Sequence, residues 1–158
     1  MIYAATGHRP DKLGGYSLDA REDLISFAIN ILPKGTFITG IALGWDQAVA
    51  EACLRTNQPY IAAVPFLGQE DTWPSNSIRQ YRRLLDNAEE VHYINPPGYA
   101  AWKMQKRNQW MVDRADAVLA LWNGSPGGTA NCVAYALSAE KSVSNVWTRY
   151  LKYTSTRQ

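Results

Sequence analysis

Short apolar runs along this chain alternate with longer stretches whose apolar residues recur every three to four positions. The runs predict strands at Met1–Thr6, Thr36–Thr39, Tyr60–Val64, Val91–Ile94 and Ala117–Trp122, with Val143–Trp147 as a sixth. The longer period predicts helices between them. Ser17 is placed to cap the first, whose stripe is Leu24, Ile25, Ala28, Ile29 and Leu32. The second turns Ala48, Val49, Ala52 and Cys53 inward, and the third Ile78, Tyr81, Leu84, Leu85 and Ala88. A fourth runs from about Tyr99 to Arg114, and a fifth carries Ala130, Val133, Ala134 and Leu137 on one face. The polar segment from Thr148 carries no clear pattern, which sets a domain at residues 1–147 and a C-terminal tail at 148–158.

Strands separated by helices with short connections predict an α/β fold: a single Rossmann-like domain, a mostly parallel sheet of five to six strands, and helices on both faces. A doubly wound order would reverse the chain between strands one and four. Ligands in such sheets bind at the carboxyl ends of the strands beside that reversal. The loops expected there are Gly7–Tyr16, Gly40–Asp46, Asn95–Gly98 and Asn123–Thr129, and they hold much of the chain's glycine.

Asn123-Gly124-Ser125-Pro126-Gly127-Gly128-Thr129, between a buried strand and a helix, has the layout of an anion site. Unpaired N–H groups and the positive dipole end of the helix face a backbone that glycine leaves open. Thr129 either caps the helix or bonds a ligand; the alternative is a tight turn with no ligand. Arg9, directly after strand one, suits bidentate phosphate binding or a surface ion pair. His8 reads as a solvated loop histidine or as an acid/base group. Asp46 is either a helix cap or a ligand to ribose hydroxyls, and Glu51 beyond it is expected to face solvent. Asn108 interrupts the apolar face of Met104, Met111 and Ala115, so it must tie the helix to a neighbouring backbone or reach a ligand with Arg107. Trp73 and Trp102 are core residues or stacking platforms for a base. Arg79, Arg82, Arg83, Lys103, Lys106 and Arg107 would track a nucleic-acid backbone only if they shared one surface.

Composition narrows this further. At 158 residues with ordinary apolar content, one globular domain is expected. No apolar run approaches a membrane span, and no basic-then-apolar leader opens the chain. The two cysteines, Cys53 and Cys132, sit in helical patterns, which fits a reducing cytoplasm rather than a disulfide scaffold. Neither His8 nor His92 lies at ligand spacing from a cysteine, so no metal is expected. A net charge of +2 is too small to argue for nucleic acid.

Thr6-Gly7-His8-Arg9-Pro10, Thr39-Gly40-Ile41-Ala42-Leu43-Gly44-Trp45-Asp46 and Gly127-Gly128-Thr129 together resemble the SLOG superfamily, the Rossmann-like group that includes DNA-processing protein A and the Lonely-guy phosphoribohydrolases. Pro65-Phe66, Gln69-Glu70, Trp73 and Gln105-Lys106-Arg107-Asn108-Gln109 extend the likeness to the YpsA/YoqJ-like branch of small bacterial and phage proteins, over nearly the whole chain to about Val146. The resemblance implies a pocket for a nucleotide or an NAD-derived molecule, formed by Gly7, His8, Arg9, Gly40, Gly44, Asp46, Arg107, Asn108, Gly124, Gly127, Gly128 and Thr129. It implies no particular reaction. Lonely-guy enzymes resemble Pro-Gly-Gly-x-Gly-Thr-x-x-Glu, with the glutamate taking part in N-glycosidic cleavage. Here the turn is the shorter Pro126-Gly127-Gly128-Thr129, and Cys132 stands three residues after the threonine. A thiol cannot stabilise an oxocarbenium-like centre as a carboxylate does. The leading expectation is therefore a cytoplasmic sensor or sequestering protein for a nucleotide or NAD-derived ligand, with no cofactor assigned beyond that ligand, in a bacterial host or phage-encoded. An N-glycosidase using Asp46 or Glu70 is the first alternative, and single-stranded nucleic-acid binding the second. Self-association into a homo-oligomer is compatible with all three.

Overall fold

In the computed structural model, which describes residues 1–156, six parallel strands run in the order β4-β3-β2-β1-β5-β6. They are β1 (Ile2–Gly7), β2 (Thr36–Thr39), β3 (Tyr60–Phe66), β4 (Glu90–Asn95), β5 (Ala117–Leu121) and β6 (Ser142–Asn145). Polarity sorts centre from edge. Every residue of β5, Ala-Val-Leu-Ala-Leu, is buried, as a strand covered on both faces requires. β6, Ser-Val-Ser-Asn, has no buried residue, and it takes one edge while the largely exposed β4 takes the other.

The helices are α1 (Leu18–Ile31), α2 (Trp45–Arg55), α3 (Ser75–Asp86), α4 (Ala101–Arg114), α5 (Gly128–Ser138) and α6 (Trp147–Ser155). Alternation along the strands divides the core in two. Ala5 and Phe37 face α1, α2, α3 and α6 through Phe27, Trp45, Tyr81 and Tyr150. Ala4 and Ile38 face α4 and α5 through Met111, Val112, Cys132 and Ala136. The predicted fold class holds: one Rossmann-like α/β sheet, all parallel, helices on both faces.

The topology corrects several finer expectations. The chain reverses between β1 and β5, not between strands one and four, because β4 continues outward past β3 before the chain returns to β1. Pairing of Gly7 with Leu121 and Thr6 with Ala120 then puts the loops after β1 and β5 side by side. The Asn95–Gly98 loop consequently lies at the far edge. In α5 the buried face is Cys132, Val133 and Ala136, while Ala134 and Leu137 are exposed: small apolar residues surround the helix, so periodicity alone misplaced its phase. Trp122 lies beyond the end of β5, and Trp147 opens α6 instead of closing a strand.

The segment without a clear sequence pattern is thus largely helical. Tyr150 buries against Phe27 with ring centroids 5.4 Å apart. Burying one such ring stabilises by about 1.5–3 kcal/mol, enough to dock a nine-residue helix that would not hold by itself in water. Residues 157 and 158 of the expected tail lie outside the described residues.

Candidate functional site

Where β1 and β5 part company, a cavity of about 310 Å³ opens at their carboxyl ends. Its walls are the loop after β1, the 3-10 turn Pro10–Lys12, the start of α2, the inner face of α4 and the first turn of α5. The α5 terminus is bare. Gly127 stands at the N-cap position with φ 143°, and no side chain caps the turn. Gly128 follows without a positive φ, and a Cβ built on it would meet nothing within 4 Å. Three consecutive residues, Gly127 to Thr129, therefore line open space with the positive end of the helix behind them.

The loop after β1 is fixed by its backbone and one histidine. The His8 N–H donates to the Leu121 carbonyl at 3.2 Å, and the His8 carbonyl accepts from Trp45 N–H at 3.1 Å. The Asn123 N–H donates to His8 Nε2 at 2.9 Å, which puts the ring proton on Nδ1. Burial pushes the His8 pKa below its ordinary value, so the ring is neutral at pH 7, and ring and backbone together tie the loops after β1, β2 and β5. Trp147 meets it edge-on at 5.7 Å. Gly7 is required because a Cβ there would collide with the buried Trp45 indole. Across the cavity, Lys12 Nζ donates to Ser125 Oγ at 3.0 Å, bridging the loops after β1 and β5.

Charge is concentrated at the cavity floor. Arg107 is buried, with Nε donating to Asn108 Oδ1 at 3.1 Å and Nη1 to the carbonyls of Gly40 at 3.2 Å and Ala63 at 3.1 Å. Its Nη2 has no protein partner among the described residues. Gly40 owes its identity to this guanidinium, which occupies the place of a Cβ. Asn108 Nδ2 reaches Gln105 Oε1 and the Gly128 carbonyl, each at 3.5 Å, so the amide both ties α4 to the α5 turn and lines the cavity. Asp46 lies opposite. Burial raises its carboxyl to about 6, against the opposing pull of Arg107, Arg9 and the Ala42 N–H. Arg9 is exposed and donates no hydrogen bond to any described protein group. Two hydrogen bonds fix the adjacent loop at one residue. Ile41, β-branched and buried, is held at φ 57°, with its N–H on Thr39 Oγ1 and its carbonyl accepting from Gln47 Nε2.

The cavity gathers Gly7, His8, Arg9, Asp46, Arg107, Asn108, Gly127, Gly128 and Thr129 from the expected site. Gly40, Gly44 and Gly124 are not on its wall: Gly40 seats Arg107, and Gly44, at φ 97°, lets α2 start against the His8–Arg9 backbone. Thr129 is not the helix cap. His8 is buried rather than solvated, because the β5 loop and Trp147 close over it. Glu70, a candidate acid, also lies off the cavity, with its nearest cation Arg82 at 3.8 Å. Trp73 packs edge-on against Tyr81 at 5.3 Å, and exposed Trp102 lies beside Lys103; neither lines the cavity. The basic residues of α3 and α4 do not share a surface, since the two helices cover opposite sheet faces and Lys103, Arg107 and Arg83 are turned to internal partners. Lys12 and Ser125 escaped the sequence reading. Their only local signal is Pro10 at the start of a short helical turn, and their contact spans more than a hundred residues. Among the described residues, no group of His, Cys, Asp and Glu could hold a metal ion, and no helix is long and apolar enough to cross a membrane.

Comparison with known proteins adds the following. The model of the YspA SLOG family matches residues 3–155. The SPbeta prophage-derived protein YoqJ of Bacillus subtilis (strain 168) is 36% identical over 119 residues, which is 65% of this chain and 70% of YoqJ. A UPF0398 protein of Bacillus thuringiensis (strain Al Hakam) is 24% identical over 169 residues, 97% of this chain and 91% of its own length. Among solved structures, DNA processing protein A from Streptococcus pneumoniae superposes with a TM-score of 0.64 at 18% identity, over 89% of this chain and 48% of that one. The Helicobacter pylori protein, which binds single-stranded DNA, gives 0.65 at 18%, over 90% and 63%. This chain thus spans about half to under two thirds of those structures, and the likeness to them is one of fold.

Proposed function

The chain belongs to the YspA SLOG family, and from that premise we propose that it binds a nucleotide or nucleotide-derived small molecule as a sensor or sequestering protein in the bacterial cytoplasm. One observation carries this reading: an uncapped helix N-terminus, lined by Gly127 to Thr129, opens into a cavity that is also lined by Arg9 and Arg107. Backbone N–H groups and two guanidinium groups converging on one space are a cradle for a phosphate. Asn108 and Asp46 line the same space and suit the hydroxyls or base of the remainder. Native mass spectrometry of the purified chain should show a co-purified nucleotide. Titration should show nucleoside monophosphates binding far more tightly than the matching nucleosides, and equal binding would defeat the proposal.

A second reading is favoured by Asp46 itself. A carboxyl near 6 is poised for acid/base work close to neutral pH, which supports N-glycosidic cleavage of the bound nucleotide. Against it, Cys132 occupies the position of the Lonely-guy enzymes' glutamate, and burial raises its thiol to about 11, so no thiolate is present near neutral pH. We expect little or no free base from nucleoside monophosphates. Robust release that vanishes in Asp46→Asn would promote the enzyme reading.

A further inference from the structure

The 3-10 turn Pro10–Lys12 has two sides. Arg9, Asp11 and Lys12 line the cavity described above, while Pro10 and Leu13 line a separate one of about 340 Å³ among the first turns of α1, α2 and α3. This second cavity has a different chemistry. Its floor is aliphatic, built from Leu13, Leu24, Ile25, Leu43 and Ala48. Three carboxamides edge it, Gln47 buried beside the floor and Asn76 and Gln80 on the open rim, with no free charge: the one cation, Arg21, is paired with Glu51 at 3.4 Å.

Each carboxamide is half-committed. Gln47 donates its Nε2 to the Ile41 carbonyl at 3.1 Å, leaving its oxygen. Asn76 Oδ1 accepts from the Ser77 N–H at 3.0 Å, leaving its NH₂ group. Gln80 Oε1 accepts from Arg83 Nε at 3.3 Å, again leaving the NH₂. The rim therefore offers two donors and one acceptor with no protein partner among the described residues. A lipid tail would fill the floor and leave those groups unpaired, at about 1–3 kcal/mol for each that becomes buried. An anion would find no cation. A neutral ring with acceptors and a donor along its edge satisfies both floor and rim, and a volume of this size is at the lower end of ordinary small-molecule sites.

We propose that the second cavity binds a neutral nucleobase-type heterocycle, its ring on the aliphatic floor and its edge read by Gln47, Asn76 and Gln80. The base can belong to a free nucleoside or to a single strand. This site is independent of the phosphate cradle on the other side of the turn.

NMR titration of the full chain with adenosine and guanosine, which carry no phosphate, tests it. The expected result is shifts at the amides of Gly15, Ala48 and Ser77, with Gln80→Leu weakening binding at least about fivefold and Arg9→Ala leaving it unchanged. Asn76→Ala, at an exposed position, provides a second variant that folding cannot confound. A short single-stranded oligonucleotide distinguishes the source: an affinity equal to the nucleoside's identifies the free molecule, and one about tenfold tighter identifies a strand. Inorganic phosphate should move only Gly128 and Thr129, so the two cavities are scored separately. The proposal is overturned if neither nucleoside shifts the second-cavity amides, if both rim variants bind as before, or if cyclohexanol binds there as well as the nucleosides do.

Discussion

Two carboxylates on the same helix, Asp46 and Glu51, are both buried, and their surroundings are opposite. Glu51 is enclosed by arginines: Arg21 at 3.4 Å, Arg55 at 3.4 Å and Arg83 closer still, from α1, α2 and α3. Burial would push its pKa up, but the bond to Arg83 and the charges of all three arginines outweigh that and hold it below the ordinary glutamate value. Asp46 is drawn toward Arg107 and Arg9 only through space, and burial prevails, lifting it to about 6. A carboxylate kept for structure is fully paired. One left under-paired against an open cavity carries a raised pKa instead, as Asp46 does.

The largest effect expected from this contrast is on stability. Glu51→Ala removes the anion that joins three helices and leaves three cations facing one another. Each arginine is partly exposed and can rehydrate, so the cost is about 3 kcal/mol, at the low end for a broken buried ion pair. Because the folded pKa of Glu51 is depressed, its contribution is present above the unfolded glutamate value and lost as pH falls through the lower folded one. Urea unfolding at pH 7 and at pH 3 should show the variant's deficit shrinking from the first to the second. An undiminished deficit at pH 3 would mean that Glu51 acts through packing.

Asp46 should behave in the opposite sense. Its raised folded pKa means that the folded chain holds a proton the unfolded chain has released, so stability falls as pH climbs from about 4 to about 6. A shift of this size corresponds to a penalty on the order of 3 kcal/mol at neutral pH. Asp46→Asn should remove it and make the protein more stable at pH 7. The same ionisation opposes a bound anion, so the affinity of Asp46→Asn for a phosphate ester, relative to the unsubstituted chain, should grow as pH rises through about 6, the ligand's own second ionisation being common to both. A loss of stability in Asp46→Asn would erase the contrast with Glu51.

The smallest effect concerns Arg9. It is exposed, and no side-chain hydrogen bond among the described residues fixes it, so its contact with a phosphate is worth about 1.5 kcal/mol, or roughly tenfold in affinity. Arg9→Ala should weaken a nucleoside monophosphate by that factor and spare the nucleoside. Equal losses for the pair would show that Arg9 shapes the loop instead.

Much of this arrangement was legible in the residues, for reasons that are local. Strand, glycine turn and helix at Ala117–Leu137 are encoded within some twenty positions, and so is the arrest of β1 at Gly7-His8-Arg9-Pro10. What was not legible depends on long-range pairing. Strand four beside strand one and strand five beside strand one satisfy the same alternation, and only the sheet order decides between them. Glu51 looks solvent-facing when α2 is considered alone; it is buried because α1 and α3 bring arginines to it. Gly40 reads as a ligand glycine in its loop, whereas its open space is filled by a guanidinium 67 positions further on.

The central claim is that the α5 terminus holds a phosphate, and Gly128 gives direct access to it. Its backbone is not in the left-handed region and a side chain there would project into the cavity, so Gly128→Leu should fold with unchanged or slightly raised stability. Calorimetric titration of that variant with a nucleoside monophosphate, beside the unsubstituted chain, is the measurement to make. The expected result is a folded protein that binds the monophosphate no more tightly than the matching nucleoside. A folded Gly128→Leu protein with undiminished affinity would contradict it.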